Sequence, residues 1–119
     1  NVLENSIDKG ITKGSFNGSV LWMPLVNKPE GSIVNIAIHA RDVILANKPI
    51  EGISARNVLS ATITDIKSLG RSVIVLAETD GVSIMSEITH ESVNQLGLKL
   101  GISVYLIIKT NSIYVQTEE

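Results

Sequence analysis

The 119-residue sequence contains no cysteine, two histidines, three prolines and four aromatic residues, and its charges nearly cancel at 10 basic against 12 acidic side chains. Each scarcity removes a class of protein. Without cysteine there is no disulfide framework, no thiolate zinc site and no cysteine nucleophile, which fits a reducing compartment. His39 and His90 are too few for a histidine-built metal site, and surface or structural roles are the expectation for both. A net charge of −2, which Glu118 and Glu119 account for by themselves, lacks the concentrated basic face that duplex nucleic acid demands. Phe16, Trp22, Tyr105 and Tyr114 are too sparse for a base-stacking platform. Apolar runs such as Val73-Ile74-Val75-Leu76-Ala77 are far shorter than a bilayer span, so no direct membrane insertion is expected. There is no signal-peptide pattern, and a start at Asn1 without methionine reads as a piece of a longer protein.

What is present is β-branched. Val (12), Ile (17) and Thr (7) make up 36 of the 119 residues, so strand is the default reading. Strands are predicted over 18–23, 32–39, 42–46, 57–67, 71–78, 82–88, 102–109 and 112–117, with loops at 24–31 and 47–53. That spacing points to a small barrel or sandwich. Leu59, Ala61 and Ile63 alternate with Ser60, Thr62 and Thr64, giving one buried and one polar face. Val104 to Ile108 is apolar on both faces, as in a central strand or one covered by a partner. One segment breaks the pattern: Thr89 can cap, Glu91 sits in a first turn, and Gly97 stands at the C′ position, which predicts a short helix over 89–96.

A degenerate repeat also runs through the chain. Residues 31–46 align without gaps against 101–116, an offset of 70, and Asn1-Val2-Leu3 recurs as Asn57-Val58-Leu59.

Chemistry-bearing motifs are few. There is no P-loop, no dinucleotide-binding glycine pattern and no nucleophile motif, and the carboxylates are scattered, so the chain is not expected to be an enzyme. Three places suit an anion. Thr89 and Ser92 lie at a predicted helix start, where backbone N–H groups lack partners, although for this segment alone an ordinary cap, with Thr89 bonding its own helix, is the preferred reading. Ser54-Ala55-Arg56-Asn57 offers backbone donors, a hydroxyl and a guanidinium. Lys109, followed by Thr110, ends the doubly apolar strand; it would snorkel to solvent or, if buried, need a counter-charge.

The order of these pieces resembles a family. Ser-Ala-Arg-Asn-Val-Leu at 54–59, a hairpin, Ile88-Thr89-His90-Glu91-Ser92, Leu96-Gly97-Leu98 and Ile108-Lys109-Thr110 together resemble the Mop, or molybdate-binding TOBE, domain. The first half, with Leu21-Trp22 and Ile38-His39-Ala40-Arg41-Asp42, is similar to the regulatory segment that follows the ATPase domain in the ATP-binding subunit of molybdate ABC transporters. The resemblance implies an all-β fold of tandem small OB-like β-barrels in a di-Mop arrangement with one short helix near 89–96. It implies a first TOBE-like half at 1–53 and a Mop-type molybdate-binding half at 54–119.

By that resemblance the ligand is molybdate or tungstate, with no catalytic cofactor and no metal-cation site. Ser54, Ala55, Arg56, Lys109 and Thr110 would face one side of the oxyanion, and Thr89 and Ser92 the other, from the neighbouring protomer of a homodimer. The implied partners are the ATPase domain and the membrane permease of the importer, and the implied location is the cytoplasm. The implied role is sensing internal molybdate and inhibiting transport. The alternatives are a ligand-free dimerisation module, a molybdate store, or the effector domain of a molybdate-responsive repressor. One departure stands out: His39 occupies the position of Lys109 in the other half.

Overall fold

The computed structural model describes residues 1–116. Apart from one α-helix and two short 3₁₀ turns, the described residues are strands and the turns and loops that join them, as the β-branched composition requires. Ten strands form: β1 Val2–Ser6, β2 Ile11–Phe16, β3 Ser19–Pro24, β4 Asn35–Ile38, β5 Ile44–Ala46, β6 Asn57–Leu69, β7 Ser72–Thr79, β8 Val82–Thr89, β9 Ser103–Ile108 and β10 Ile113–Gln116. The helix α1 spans His90–Leu96, and 3₁₀ turns occupy Ala40–Asp42 and Thr110–Ser112. The expected strand over 112–117 is observed to Gln116, and its last position, with Glu118 and Glu119, lies outside the described residues.

The strands assort into three sheets: β1-β2-β3, the pair β10-β4, and β5-β9-β6-β7-β8. β9 is therefore central between β5 and β6, which explains its apolar character: Val104, Leu106 and Ile108 are fully buried, and Ile107 on the opposite phase is also buried. β6 shows the alternation read from its sequence, with Leu59, Ala61 and Ile63 inward.

Two strands, β1 and β2, were not expected from the sequence. Their inward positions hold Val2, Thr12 and Gly14, so the alternation exists but most of it is carried by small or polar residues that leave no hydrophobic period. The strand predicted over 32–39 is shorter, Asn35–Ile38, and that over 42–46 begins at Ile44 because residues 40–42 form the 3₁₀ turn.

The repeat is visible in backbone geometry. The two 3₁₀ turns begin 70 residues apart, at Ala40 and Thr110, and the residues before them match: His39 at φ −71, ψ 134 and Lys109 at φ −69, ψ 142. The β2–β3 and β7–β8 hairpins each turn on two residues of positive φ, Asn17-Gly18 and Asp80-Gly81, the geometry that suits the twist of paired strands. The tips of these hairpins meet: Asn17 Nδ2 donates to the Asp80 carbonyl at 3.0 Å, and the Ser19 hydroxyl bonds the Asp80 carboxylate.

The repeat of Asn1-Val2-Leu3 in Asn57-Val58-Leu59, however, is not a structural equivalence. The register irregularity of β1 falls between Val2 and Glu4, and that of β6 between Ile63 and Asp65. Val2 also exchanges backbone bonds with Gly31 and Ser32 as Ile63 does with Gly101 and Ile102. Val2 thus stands where Ile63 stands. The two halves also trade strands: β4 pairs with β10, Ile38 against Ile113, and β5 pairs with β9, Ile44 against Ile107.

Candidate functional site at the β6 and β9 ends

Antiparallel pairing of β6 with β9 puts Asn57 opposite Ile108, so the Ser54-Ala55-Arg56 turn and the Lys109-Thr110 turn leave the sheet side by side. The backbone therefore brings five of the seven expected residues to one end of one strand pair. Ser54, Arg56 and Lys109 are exposed, while Ala55 and Thr110 are half-buried. Lys109 takes part in neither of the ion pairs found among the described residues, Arg41 with Glu87 and Lys67 with Asp65. The Thr110 hydroxyl oxygen is fully buried and has no hydrogen-bond partner among the described residues. A buried hydroxyl without a partner is an energetic liability of about 1–3 kcal/mol unless something meets it.

The Arg56 guanidinium folds back on its own turn, donating from Nη2 to the Ile53 carbonyl at 3.0 Å and from Nε to the Ser54 carbonyl at 3.3 Å. It rigidifies the turn and retains other N–H groups on an exposed fork.

The motif's fourth residue does something that the sequence reading did not assign. Asn57 is 2% exposed. Its Oδ1 accepts from the Trp22 backbone N–H at 2.7 Å and its Nδ2 donates to the Trp22 carbonyl at 2.8 Å. β3 is the edge of its sheet, and this side-chain amide serves it in place of a neighbouring strand. The signal was available: Asn57 falls on the inward phase of Leu59, Ala61 and Ile63, where a polar group must find partners. The chain's single tryptophan is thereby tied to the residue next to Arg56; the Lys13 ammonium lies 5.8 Å from its ring centre.

Thr89, the N-cap that ends β8, and Ser92 in the first turn of α1 lie elsewhere, where α1 packs against β7 and β8. Thr89 Oγ1 accepts from the Ser92 N–H at 3.1 Å and bonds the Ser92 hydroxyl at 3.0 Å, so this hydroxyl caps its own helix. The helix closes on Gly97 in the left-handed conformation, φ 64, with Leu98 N–H donating to the Val93 carbonyl at 3.0 Å.

The counterpart turn in the first half has different chemistry. His39, Ala40, Arg41, Asp42 and Glu87 line a shallow cleft of about 420 Å³. The His39 ring stands edge-on to Tyr114 at 5.1 Å, Arg41 is engaged by Glu87 at 3.2 Å, and Ala40 replaces the Thr110 hydroxyl. Two carboxylates beside this turn oppose an anion. Among the described residues no cluster of three or more His, Asp or Glu is disposed to hold a metal ion, and no helix is long and apolar enough to cross a membrane.

Comparison with known proteins places this geometry. The TOBE domain model matches residues 53–115. The molybdate/tungstate import ATP-binding protein WtpC of Pyrococcus abyssi is 35% identical over 115 residues, covering 94% of this chain and 32% of that protein. The molybdenum import ATP-binding protein ModC 1 of Azotobacter vinelandii is 32% identical, covering 91% and 30%. The chain thus spans about a third of the length of these curated relatives. Among solved structures, the cytoplasmic molybdate-binding protein ModG with molybdate bound superposes with a TM-score of 0.81 at 25% identity, covering 91% of this chain and 84% of that one. That agreement extends to the tandem Mop-type architecture expected from the sequence. With its second half matched by the family model and nearly its whole length matched by curated relatives, the chain belongs to the TOBE domain family.

Proposed function

We propose that this chain binds molybdate or tungstate as a regulatory domain of the ATP-binding subunit of an importer, with the anion held at the β6 and β9 ends by Ser54, Ala55, Arg56, Lys109 and Thr110. The observation that carries the reading is the buried Thr110 hydroxyl, without a hydrogen-bond partner among the described residues, next to Lys109, which joins neither of the ion pairs found there. A tetrahedral dianion accepts many hydrogen bonds, and one or two cations with neutral donors meet its charge without an excessive desolvation penalty. Binding by the molybdate-bound structural neighbour and the import role of the relatives support the ligand class.

In this reading residues 1–53 and 54–119 act as two units, of which the second binds. A second copy brings Thr89 and Ser92 to the far side of the anion, so that ligand and homodimer are coupled. Anion then favours one arrangement of two regulatory domains and restrains transport when internal molybdate is plentiful, by differential affinity for the two arrangements. The partners are the ATPase domain and permease of a cytoplasm-facing importer; the domain itself is non-catalytic.

Calorimetric titration with molybdate, with sulfate as control, tests the binding step. Saturable heat accompanied by a change in Trp22 fluorescence is expected, because Asn57 links that residue to the site. Absence of both at millimolar molybdate in a dimeric sample overturns the proposal. Thr110→Val adds a second readout: affinity falls roughly tenfold while thermal stability holds or rises, since an unpaired buried hydroxyl is removed. Unchanged affinity would remove Thr110 from the site.

The competing reading is a dimerisation module without ligand. It is favoured by Thr89 capping its own helix and by Arg56 bonding its own turn. Dimerisation indifferent to molybdate would select it.

A further inference from the structure

In the second half, β6 is thirteen residues long and does two jobs: Thr62 to Leu69 pairs with β7, and Asn57 to Thr62 pairs with β9. Its counterpart β1 has five residues and pairs only with β2. Since Val2 stands in the place of Ile63, nothing in the described chain lies along β4 as residues 57–61 lie along β9. The effect on burial is large. Val104, Leu106 and Ile108 are each 0% exposed, whereas Val34, Ile36 and Ile38, their counterparts 70 residues earlier, are only partly buried. With Leu21, Met23 and Met85 these side chains line an apolar groove of about 470 Å³.

We propose that this groove seats an additional β-strand, an extended stretch placed directly ahead of Asn1, antiparallel to β4 and carrying apolar side chains at the places of Leu59 and Ala61. β4 pairs with β10 along one edge and, among the described residues, meets no strand along the other. An unpaired edge beside an apolar trough accepts a strand readily: main-chain bonds supply attachment, and alternate side chains fill the trough. The trough's far wall fits the same pattern. Met85, 63 residues after Trp22, is 54% exposed on the edge strand β8, and its backbone is the counterpart of the one that Asn57 clasps. The first residue of the added strand is therefore an Asn or another side chain with both donor and acceptor. The curated relatives, of which this chain spans 32% and 30%, contain further polypeptide outside the matched part. The inference does not depend on oxyanion binding.

The test joins Asn-Val-Leu-Ser-Ala, a copy of residues 57–61, directly ahead of Asn1 and compares it with the 119-residue chain. In the extended chain the backbone amides of residues 34–38 are expected to exchange with deuterium at least ~10-fold more slowly, and anilinonaphthalene sulfonate bound by the shorter chain to be released. A control extension with aspartate at the Leu and Ala places should do neither. Equal exchange and equal dye binding in the two chains overturn the proposal. So does a dimer of the shorter chain, seen by light scattering, that already protects residues 34–38, because a second copy then fills the groove.

Discussion

Lys109→Ala is expected to weaken molybdate binding by about 2–3 kcal/mol, or roughly 30- to 150-fold, with little change in melting temperature. The two halves of that expectation have separate causes. Lys109 is exposed and takes part in neither described ion pair, so its removal breaks no packing. A dianion at the strand ends, by contrast, loses a charge-assisted donor in a place where half-buried Ala55 and Thr110 limit the water that could replace it. Lys109→Arg keeps the charge on a planar fork and should recover only part of the affinity. Isothermal titration against the parent protein is the measurement. A dissociation constant within threefold of the parent would show that the lysine points to solvent and that the anion, if bound, is held by neutral donors alone.

The largest effect on stability is expected at Asn57. Asn57→Leu keeps the number and branching of the side-chain heavy atoms at a 2% exposed position but leaves the Trp22 N–H and C=O without that partner. Two unmet backbone groups in a largely buried setting cost about 3 kcal/mol together, which in a chain of this size lowers the melting temperature by about 10 °C. Asn57→Asp retains the acceptor for Trp22 N–H and loses the donor to its carbonyl, so an intermediate loss is expected. Thermal unfolding followed by Trp22 fluorescence would report both the midpoint and the environment of the clasped strand. A midpoint within about 2 °C of the parent for Asn57→Leu would mean that water satisfies β3 as well as the amide does.

The elements that could be read from sequence were those whose burial is achieved with aliphatic side chains. β6, β7 and β9 announce themselves through Leu59, Ala61, Ile63, Val73, Val75 and the Val104–Ile108 run. α1 was legible from its ends, because Thr89 and Gly97 have few alternative uses at that spacing. β1 and β2 were not, since Thr12 and Gly14 are buried without being hydrophobic: Thr12 is 0% exposed because its hydroxyl accepts from Val26 N–H at 2.9 Å and donates to Asn5 at 2.7 Å. Local periodicity carries no information about that kind of inward residue. The short motif repeat at Asn1 and Asn57 misled for a related reason. Three residues can recur by chance, whereas the bulge positions and the bonds to the following loop fix the true register, and both are long-range properties. For the candidate site, residue types and order located the Ser54–Arg56 and Lys109–Thr110 turns, and strand pairing explains why they adjoin. The inward phase of Asn57 signals only that its amide needs partners; that the partner is Trp22 depends on β3 lying open at that point, a long-range property.

The exchange of strands between the halves also governs how the chain reaches this state. β4 has its pairing partner in β10, and β5 has its partner in β9, so each half's ladder closes only with residues from the other. On a ribosome, the N-terminal portion would emerge with its edges open and wait for nearly the whole chain before Ile38 could meet Ile113. Such distant pairings must be reached before they repay the entropy of closing the intervening loop, which makes folding slow and all-or-none. The same interlock joins the two halves mechanically: a pull that separates them must tear both exchanged ladders at once.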